Sequence, residues 1–408
     1  MKVWIKTILA VATGVLVGTL ITSREGMSEL VVAGSQLAIQ IGRYSLFPVV
    51  FFGLIMGTHE LRRAGLALKS YTRLLLYLIV GSALFTLIGL LSVLALSPDR
   101  VPIVIVEATG LVAPNLFDTL ASALPANLFQ VLVGDGASLL PLLLLAIILG
   151  LNLDFDEVTT RPIVQIVDSL SRVFYHVNTL VVEIFWLALV VVAAATYVSL
   201  STVELVLYQQ LLIILLVDVI VLWGGVLPGL LYLFGEREAP FKWLYAALGP
   251  ALTGAVTGDQ YVATGSLVLH GRASYGLPRS VGSAVYPFFA IFGRAGTAMV
   301  TAVSFVLVMR SYSSLELSLG QISWVGTFSF LISFTLGGVP GMGALVSLSI
   351  LSSLYGRGLQ EGYLILQPIA PLLVSVAAFL DTTVAAVTSV LIGRHLGVAS
   401  EVEMRDFV

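Results

Sequence analysis

The stretch Ser333-Phe334-Thr335-Leu336-Gly337-Gly338-Val339-Pro340-Gly341-Met342-Gly343-Ala344 decides how this chain folds. It is a Gly/Pro-broken loop set inside apolar sequence, residues 322–332 before it and 345–354 after it. Neither flank has the ~20 residues that span a bilayer. Two short arms around a broken tip read as a re-entrant hairpin that enters the membrane and turns back. Backbone polar groups persist at that depth only where protein or a water-filled cavity satisfies them. Such a tip implies an internal site.

Composition supports that reading. Of 408 residues, 58% are hydrophobic and 11% charged, with a mean hydropathy of +1.04. Soluble domains carry about 25% charged residues, so this is an all-α polytopic membrane protein. The net charge of −3 says little about partners, and no basic patch interleaved with aromatics supports nucleic-acid binding. Cysteine is absent, which removes disulfides, thiol catalysis and Cys-based metal sites. Lys2 and Lys6 precede the apolar run 7–21, as in a signal peptide. No small-residue cleavage site follows, and the run reads as a retained first helix.

Hydropathy places helices over 3–21, 30–61 (long enough to tilt or to bend near Pro48) and 72–96. A Pro-containing loop, 97–114, leads to an apolar span within 125–149, closed by Asp154, Asp156 and Glu157. Two long helices, 163–198 and 203–234, precede the polar break 235–240. The second half differs. Residues 241–269 are interrupted at Thr257-Gly258-Asp259-Gln260, and 280–309 are broken near 292–297. The opening hairpin, 317–354, and a last span, 363–396, complete it. Hairpin plus helix thus occurs twice. Paired interruptions at corresponding positions point to a transporter site at the bilayer midplane. Ordinary helices with packing glycines are the plainer reading, but several ordered breaks, two bearing charges, stand against it.

Basic residues set the orientation. Lys2, Lys6, Arg62, Arg63, Lys69, Arg73, Arg394 and Arg405 put both termini in the cytoplasm by the positive-inside bias, whereas the loops at Arg24 and Arg100 are less basic. Arg237, Lys242, Arg272 and Arg279 then flank the first hairpin on the inside, and the Gly338 hairpin enters from the opposite face.

Ionisable residues at membrane depth are costly and are candidates for function. Asp259 at the first tip, Arg294 in the broken helix and Asp381 in the last span stand out. If the breaks converge, Arg294–Asp381 and Arg294–Asp259 are the expected charge pairs, serving coupling or, on the plainer reading, a fixed internal salt bridge. Asp168, Arg172 and His176 share a helix face and read as a structural stripe. Asp218 and Glu183 could serve as relay carboxylates, but a scaffold hydrogen bond or an interhelical contact is the plainer reading, and His59 reads as a solvated helix-end residue. The tip glycines are not a nucleotide loop, since no strand precedes them and no Lys-Ser/Thr follows. No nucleophile–base set or metal-ligand spacing is present, and the chain is not expected to be an enzyme.

With these breaks placed, the order of elements resembles the dicarboxylate/amino acid:cation symporter family, the glutamate-transporter homologues. The likeness covers nearly the whole chain. Its most specific part is Gly338-Val339-Pro340-Gly341-Met342-Gly343-Ala344, close to the family's Ala-Gly-Val-Pro-Gly-x-Gly-Ala. Arg43 before Pro48 fits the second helix, and Thr382 and Val384 fit the eighth. The resemblance implies eight transmembrane helices plus two re-entrant hairpins, in a homotrimer with an elevator mechanism. Residues 1–234 would be mostly scaffold, with helices 3 and 6 moving with the transport core at 235–408. The substrate would lie between Asp259, Gln260, Tyr261 and Val262 of the first tip and Gly338, Val339, Pro340 and Gly341 of the second. Arg294 and Thr297 of helix 7, with Asp381, Thr382 and Ala385 of helix 8, would complete the site.

Departures from the family pattern bear on cargo. The family's Asn-Met-Asp-Gly-Thr aligns with Gly293-Arg294-Ala295-Gly296-Thr297, so a sodium-binding carboxylate is replaced by Ala295 beside a new arginine. An ungapped count from the second hairpin puts Asp381 where the family keeps the arginine that grips a substrate side-chain carboxylate, and Ala385 and Ser389 where it keeps an amide and an aspartate. A count back from Gly397 shifts Asp381 towards the amide position, and on either count the substrate arginine and the sodium carboxylates are missing. Sodium needs several hard oxygens. The expectation is a secondary transporter of an amino acid or small carboxylate, with altered or absent sodium coupling and poor dicarboxylate recognition. Arg294 would stand in for the cation, with proton coupling through Asp381 or Asp259 as a companion. The alternative is a channel or receptor relative that kept the fold. No cofactor is expected beyond sodium as a transported ion. The expected partners are a small-molecule substrate and membrane lipid, and the expected location a bacterial-type inner membrane.

Overall fold

A computed structural model describes residues 2–22, 26–102, 127, 130–133, 138–235, 239–313 and 317–408, and every named element among them is helical. Most of the loop 97–114, much of 125–149, and Arg24 and Arg237 lie outside the described residues. Among the described residues six helical stretches are long and apolar enough to cross a membrane, or seven if one bent pair counts as a span. Their outer faces carry exposed leucines, such as Leu16 and Leu20 on the first helix and Leu91 on the fourth. Those faces suit lipid, and the protein is a multi-pass membrane protein.

The N-terminal helices are α1 (Val3–Thr22), α2 (Met27–Arg43), α3 (Leu46–Arg63) and α4 (Ala67–Leu96). The expected span over 30–61 is two helices, parted at Tyr44–Ser45. Pro48 sits in the first turn of α3, where its missing N–H has no intrahelical acceptor to lose. Helix α4 begins five residues before the expected 72. After a single turn at Gln130–Val133 come α5 (Leu140–Asn152), α6 (Glu157–Ile184) and α7 (Trp186–Leu200). Asp156 does not close α5. Its carboxylate caps α6, accepting from the Val158 and Thr159 amides.

The expected single helix over 163–198 is also two. Helices α6 and α7 meet at a 52° bend around Phe185, with neither Pro nor Gly there. Packing supplies the cause: the Phe185 ring fills the notch at Gly42, where a Cβ would lie 2.7 Å from Cε2. The span expected over 203–234 is a 3-10 turn, then α8 (Gln209–Val221), a π turn at Leu222–Val226, and α9 (Leu227–Phe234). The π turn carries Trp223 onto Phe379, rings stacked at 5.1 Å, with its indole N–H donating to Thr383 Oγ1 at 3.3 Å.

The second half is α10 (Pro240–Thr257), α11 (Gln260–Ala273), α12 (Arg279–Phe292), α13 (Ala295–Tyr312), α14 (Leu319–Ser333), α15 (Gly343–Tyr355) and α16 (Ala370–His395). The interruptions read from sequence fall where expected, at 258–259, 293–294 and 334–342. The last span differs at its start, where Gly362–Ile369 is wound as 3-10 helix. The pair α12–α13 is the centre of the molecule, with 94% of its apolar window buried. It is enclosed by α3, α4, α14, α15 and α16. Gly296 permits the close approach of α13 to α16, since a Cβ there would stand 2.5 Å from Leu380 Cβ and 2.6 Å from the Ala377 carbonyl oxygen.

Polar side chains outside the breaks meet expectation in part. His59 is not solvated. It is 4% exposed, with its ring 3.3 Å from Asp154 but out of line for a hydrogen bond. Asp168 accepts from Arg172 on its own helix at 2.9 Å and also pairs with Arg279 at the start of α12. Asp218 accepts from Ser92 at 3.0 Å, the scaffold role read for it.

Candidate functional site

The two tips meet. Gly258, at φ +60°, ends α10 in the left-handed conformation, and a Cβ there would strike Val374 at 2.6 Å. Asp259 follows as the N-cap of α11, its Oδ1 accepting from the Tyr261 and Val262 amides at 3.0 Å each. On the other side, α14 ends in a short 3-10 turn at Leu336–Gly338, and Met342, at φ +59°, begins α15.

Backbone joins the tips directly. The Gln260 N–H donates to the Pro340 carbonyl at 2.9 Å, and Asp259 and Gly341 form a bridge pair. Tyr261 adds a side-chain tie. Its hydroxyl donates to the Gly337 carbonyl at 2.7 Å and accepts from the Leu139 amide at 3.0 Å. Two backbone carbonyls of the second tip, those of Gly337 and Pro340, thus find their donors on the first.

Arg294 lies beneath this junction, in the break between α12 and α13. It is 2% exposed, and its Nη2 donates to the Val339 carbonyl of the second tip at 3.0 Å. Among the described residues its Nε has no partner, nor does either polar atom of the Gln260 side-chain amide, which is wholly buried. Buried polar groups are normally paired. These three exceptions belong to residues of this junction.

Asp381 comes from the middle of α16 and is fully buried. Oδ1 accepts from the Thr297 amide at 3.0 Å and Oδ2 from the Thr297 hydroxyl at 2.7 Å. It thus caps the N-terminus of α13 from another helix, because the residue at the cap position, Arg294, offers no side-chain acceptor.

The expected charge pairs need correction. Arg294 is close enough to act electrostatically on Asp381 and Asp259, but neither carboxylate lies within 4.0 Å of its guanidinium. Asp259 pairs instead with Arg43 of α2, whose Nε is 3.0 Å from Oδ2 and whose Nη2 also contacts that oxygen. Asp381 is held by its hydrogen bonds to Thr297, with Arg294 acting on it at a distance. Geometry explains both outcomes: the buried Asp259 carboxylate has its Oδ2 on Arg43 of α2, and the Asp381 carboxylate is taken up by the helix end at Thr297.

Other expected site residues separate into groups. Gly338, Val339, Pro340 and Gly341 lie at the junction, together with Asp259, Gln260, Tyr261, Arg294 and Thr297. Val262 points elsewhere, packing with Phe185, Leu189 and Ala10. Thr382 donates to the Ala378 carbonyl at 2.7 Å and abuts Gly254. Ala385 is buried one turn beyond Asp381 and contributes no polar atom. Arg43 was noted in the sequence only as a match in the second helix, without a partner or a role at the site.

The chemistry available is recognition and charge compensation. Among the described residues no three His, Asp or Glu side chains converge as metal ligands. Ala295 is buried and has no side-chain oxygen, and the Ser389 hydroxyl is engaged with Tyr286 at 3.3 Å and with the Ala386 carbonyl at 2.7 Å.

An all-helical membrane protein with two broken tips closed over buried, oppositely charged groups is built as a transport protein. The family model described as the sodium:dicarboxylate symporter family matches residues 3–395, nearly the whole chain, and the chain belongs to that family. The family is one of transporters and not of enzymes. No curated protein gave a match.

Proposed function

We propose that the protein is a secondary transporter of an amino acid or small carboxylate in which Arg294 replaces a coupling cation. The observation that carries this reading is the position of Arg294. A permanently charged guanidinium sits 2% exposed in the helix break, bonded to the Val339 carbonyl of the second tip. A free cation in the same place would serve the same carbonyl and balance Asp381. Transport is then independent of sodium, although the family is named for it.

The cargo follows from the same groups. Arg294 is the cation available to a substrate carboxylate. Asp381 stands where an arginine would grip a second carboxylate. A monocarboxylate therefore suits the site better than a dicarboxylate, and an ammonium group is acceptable near Asp381. Gln260, with its amide unpaired, supplies further hydrogen bonds.

In this reading α10–α11 and α14–α15 are the two re-entrant hairpins among eight transmembrane helices. Residues 235–408 form a core that moves as an elevator against a trimeric scaffold, with both termini cytoplasmic in a bacterial-type inner membrane. The second tip, which joins the first only through backbone bonds and Tyr261, is the gate.

Uptake by purified protein in liposomes tests the proposal, with and without a sodium gradient. Uptake that proceeds equally in both supports it, and uptake that requires sodium sinks it. Competition by acidic, neutral and basic amino acids tests the cargo. Tight aspartate binding that is indifferent to Arg294→Ala would overturn that part.

A further inference from the structure

We propose that Arg43 is a positioning residue for the first tip, reaching from α2 to keep the two tips joined. The inference rests on the reading of 258–260 and 337–343 as a gated junction, and it adds a residue from the opposite end of the chain. Asp259 uses its two oxygens differently. Oδ1 caps its own helix at Tyr261 and Val262, and Oδ2 takes the Arg43 guanidinium. The Arg43 guanidinium also lies 5.9 Å from the Tyr261 ring centroid, as a cation–π contact. Arg43 therefore bears on two of the three residues through which the first tip holds the second: Asp259, bridged to Gly341, and Tyr261, bonded to Gly337, which flank Gln260 and its bond to the Pro340 carbonyl.

The surroundings allow such a contact to open. Asp259 is 1% exposed but the Arg43 side chain is 35% exposed, within a cleft of about 560 Å³ between α2 and α7 on one wall and the tips on the other. A carboxylate with one face dry and its partner wet is held firmly, yet water can reach the pair. No space is spare at the contact: a Cβ on Gly341 would lie 3.3 Å from Asp259 Oδ2 and 3.7 Å from Arg43 Nη2. The ion pair is also the tip's charged link to the helices before residue 235. Loss of the guanidinium leaves a buried carboxylate whose favourable partner is gone, and the tip relieves this by turning toward water.

The test uses the absence of native cysteine. Gln260→Cys places a thiol at a fully buried position of the first tip. Its rate of maleimide labelling is read in purified protein without substrate, so the outcome does not depend on whether the transport reading holds. Arg43→Gln and Asp259→Asn should each raise that rate roughly tenfold or more, in keeping with coupling energies of close charge pairs. Asparagine keeps a capping oxygen for α11, which isolates the ion pair from the cap. Asp259→Asn also opens no path for the reagent, so it controls for the smaller side chain of Arg43→Gln. The double variant should label no faster than either single one, and Arg43→Lys should stay near the parent rate. Labelling unchanged in either single variant, or effects that add in the double, would overturn the proposal.

Discussion

Thr297 grips Asp381 twice, by its amide at 3.0 Å and by its hydroxyl at 2.7 Å, so that a carboxylate from α16 caps the first turn of α13. The contact joins the most buried helix pair of the molecule to its last span. Hydrogen bonds to a charged group contribute about 1.5–3 kcal/mol, and a buried donor left without a partner costs a similar amount. Asp381→Ala should therefore lower stability by about 3 kcal/mol. Asp381→Asn should lose less, because its carbonyl still accepts one bond. Thermal unfolding in detergent checks the order, and equal losses for the two would argue against the cap.

Gly296 is the packing counterpart of that cap. A Cβ at this position meets Leu380 Cβ at 2.5 Å, the Ala377 carbonyl at 2.6 Å and the Asp381 amide nitrogen at 3.1 Å. Two of these are backbone atoms that no rotamer change can clear. Gly296→Ala should push α13 off α16 at a cost of roughly 1–3 kcal/mol, typical of overpacking. The same shift lengthens the Thr297–Asp381 bonds, so uptake should fall with stability. A variant as stable as the parent would mean that the helices part more easily than their contact indicates.

Tyr261→Phe tests the junction from the first tip. Its hydroxyl is the donor to the Gly337 carbonyl and the acceptor for the Leu139 amide, at 2.7 and 3.0 Å. Phenylalanine fills the same volume but leaves both backbone groups unsatisfied, at about 1–3 kcal/mol each. Amide exchange across 336–343 should accelerate about tenfold or more, since each 1.4 kcal/mol is a factor of ten. Exchange across α13 should not change. Acceleration in both places would indicate general destabilisation instead of an opened junction.

Much of this architecture was legible because glycine, proline and charge interrupt runs that are otherwise apolar. Thr257-Gly258-Asp259, Gly293-Arg294 and Gly337–Gly343 announce breaks through residues that end helices or resist burial. What escaped was decided by distant parts of the chain. The bend at Phe185 carries no local signal, because its cause is the notch at Gly42. His59 sits at a helix end in sequence but beneath Asp154 in space. Arg43 ends an apolar helix as an interface arginine commonly does, and its partner lies 216 residues away. Burial of Arg294 and Asp381 was foreseeable from their apolar flanks. Their partners were not, since a backbone carbonyl and a helix end compete with the opposite charge for the same donor or acceptor.

The replacement of a mobile cation by Arg294 makes the most direct prediction. Arg294→Met removes the charge that lies near Asp381 and strands the Val339 carbonyl. Loss of a charge-assisted hydrogen bond costs about 1.5–3 kcal/mol, so uptake should fall about tenfold or more, with or without sodium. Arg294→Lys should recover part of it, because an ammonium keeps the charge but not the planar fork that reaches the tip. Restoring a carboxylate beside the vacated position should change the cation dependence itself. In Arg294→Met/Ala295→Asp, an oxygen donor and space appear together, and a hard monovalent cation has a ligand set to enter. Uptake by that double variant should become sodium-dependent while the parent remains indifferent. If the double variant stays inactive in sodium yet folds with parental stability, Arg294 is a structural cation and not a stand-in for a transported one.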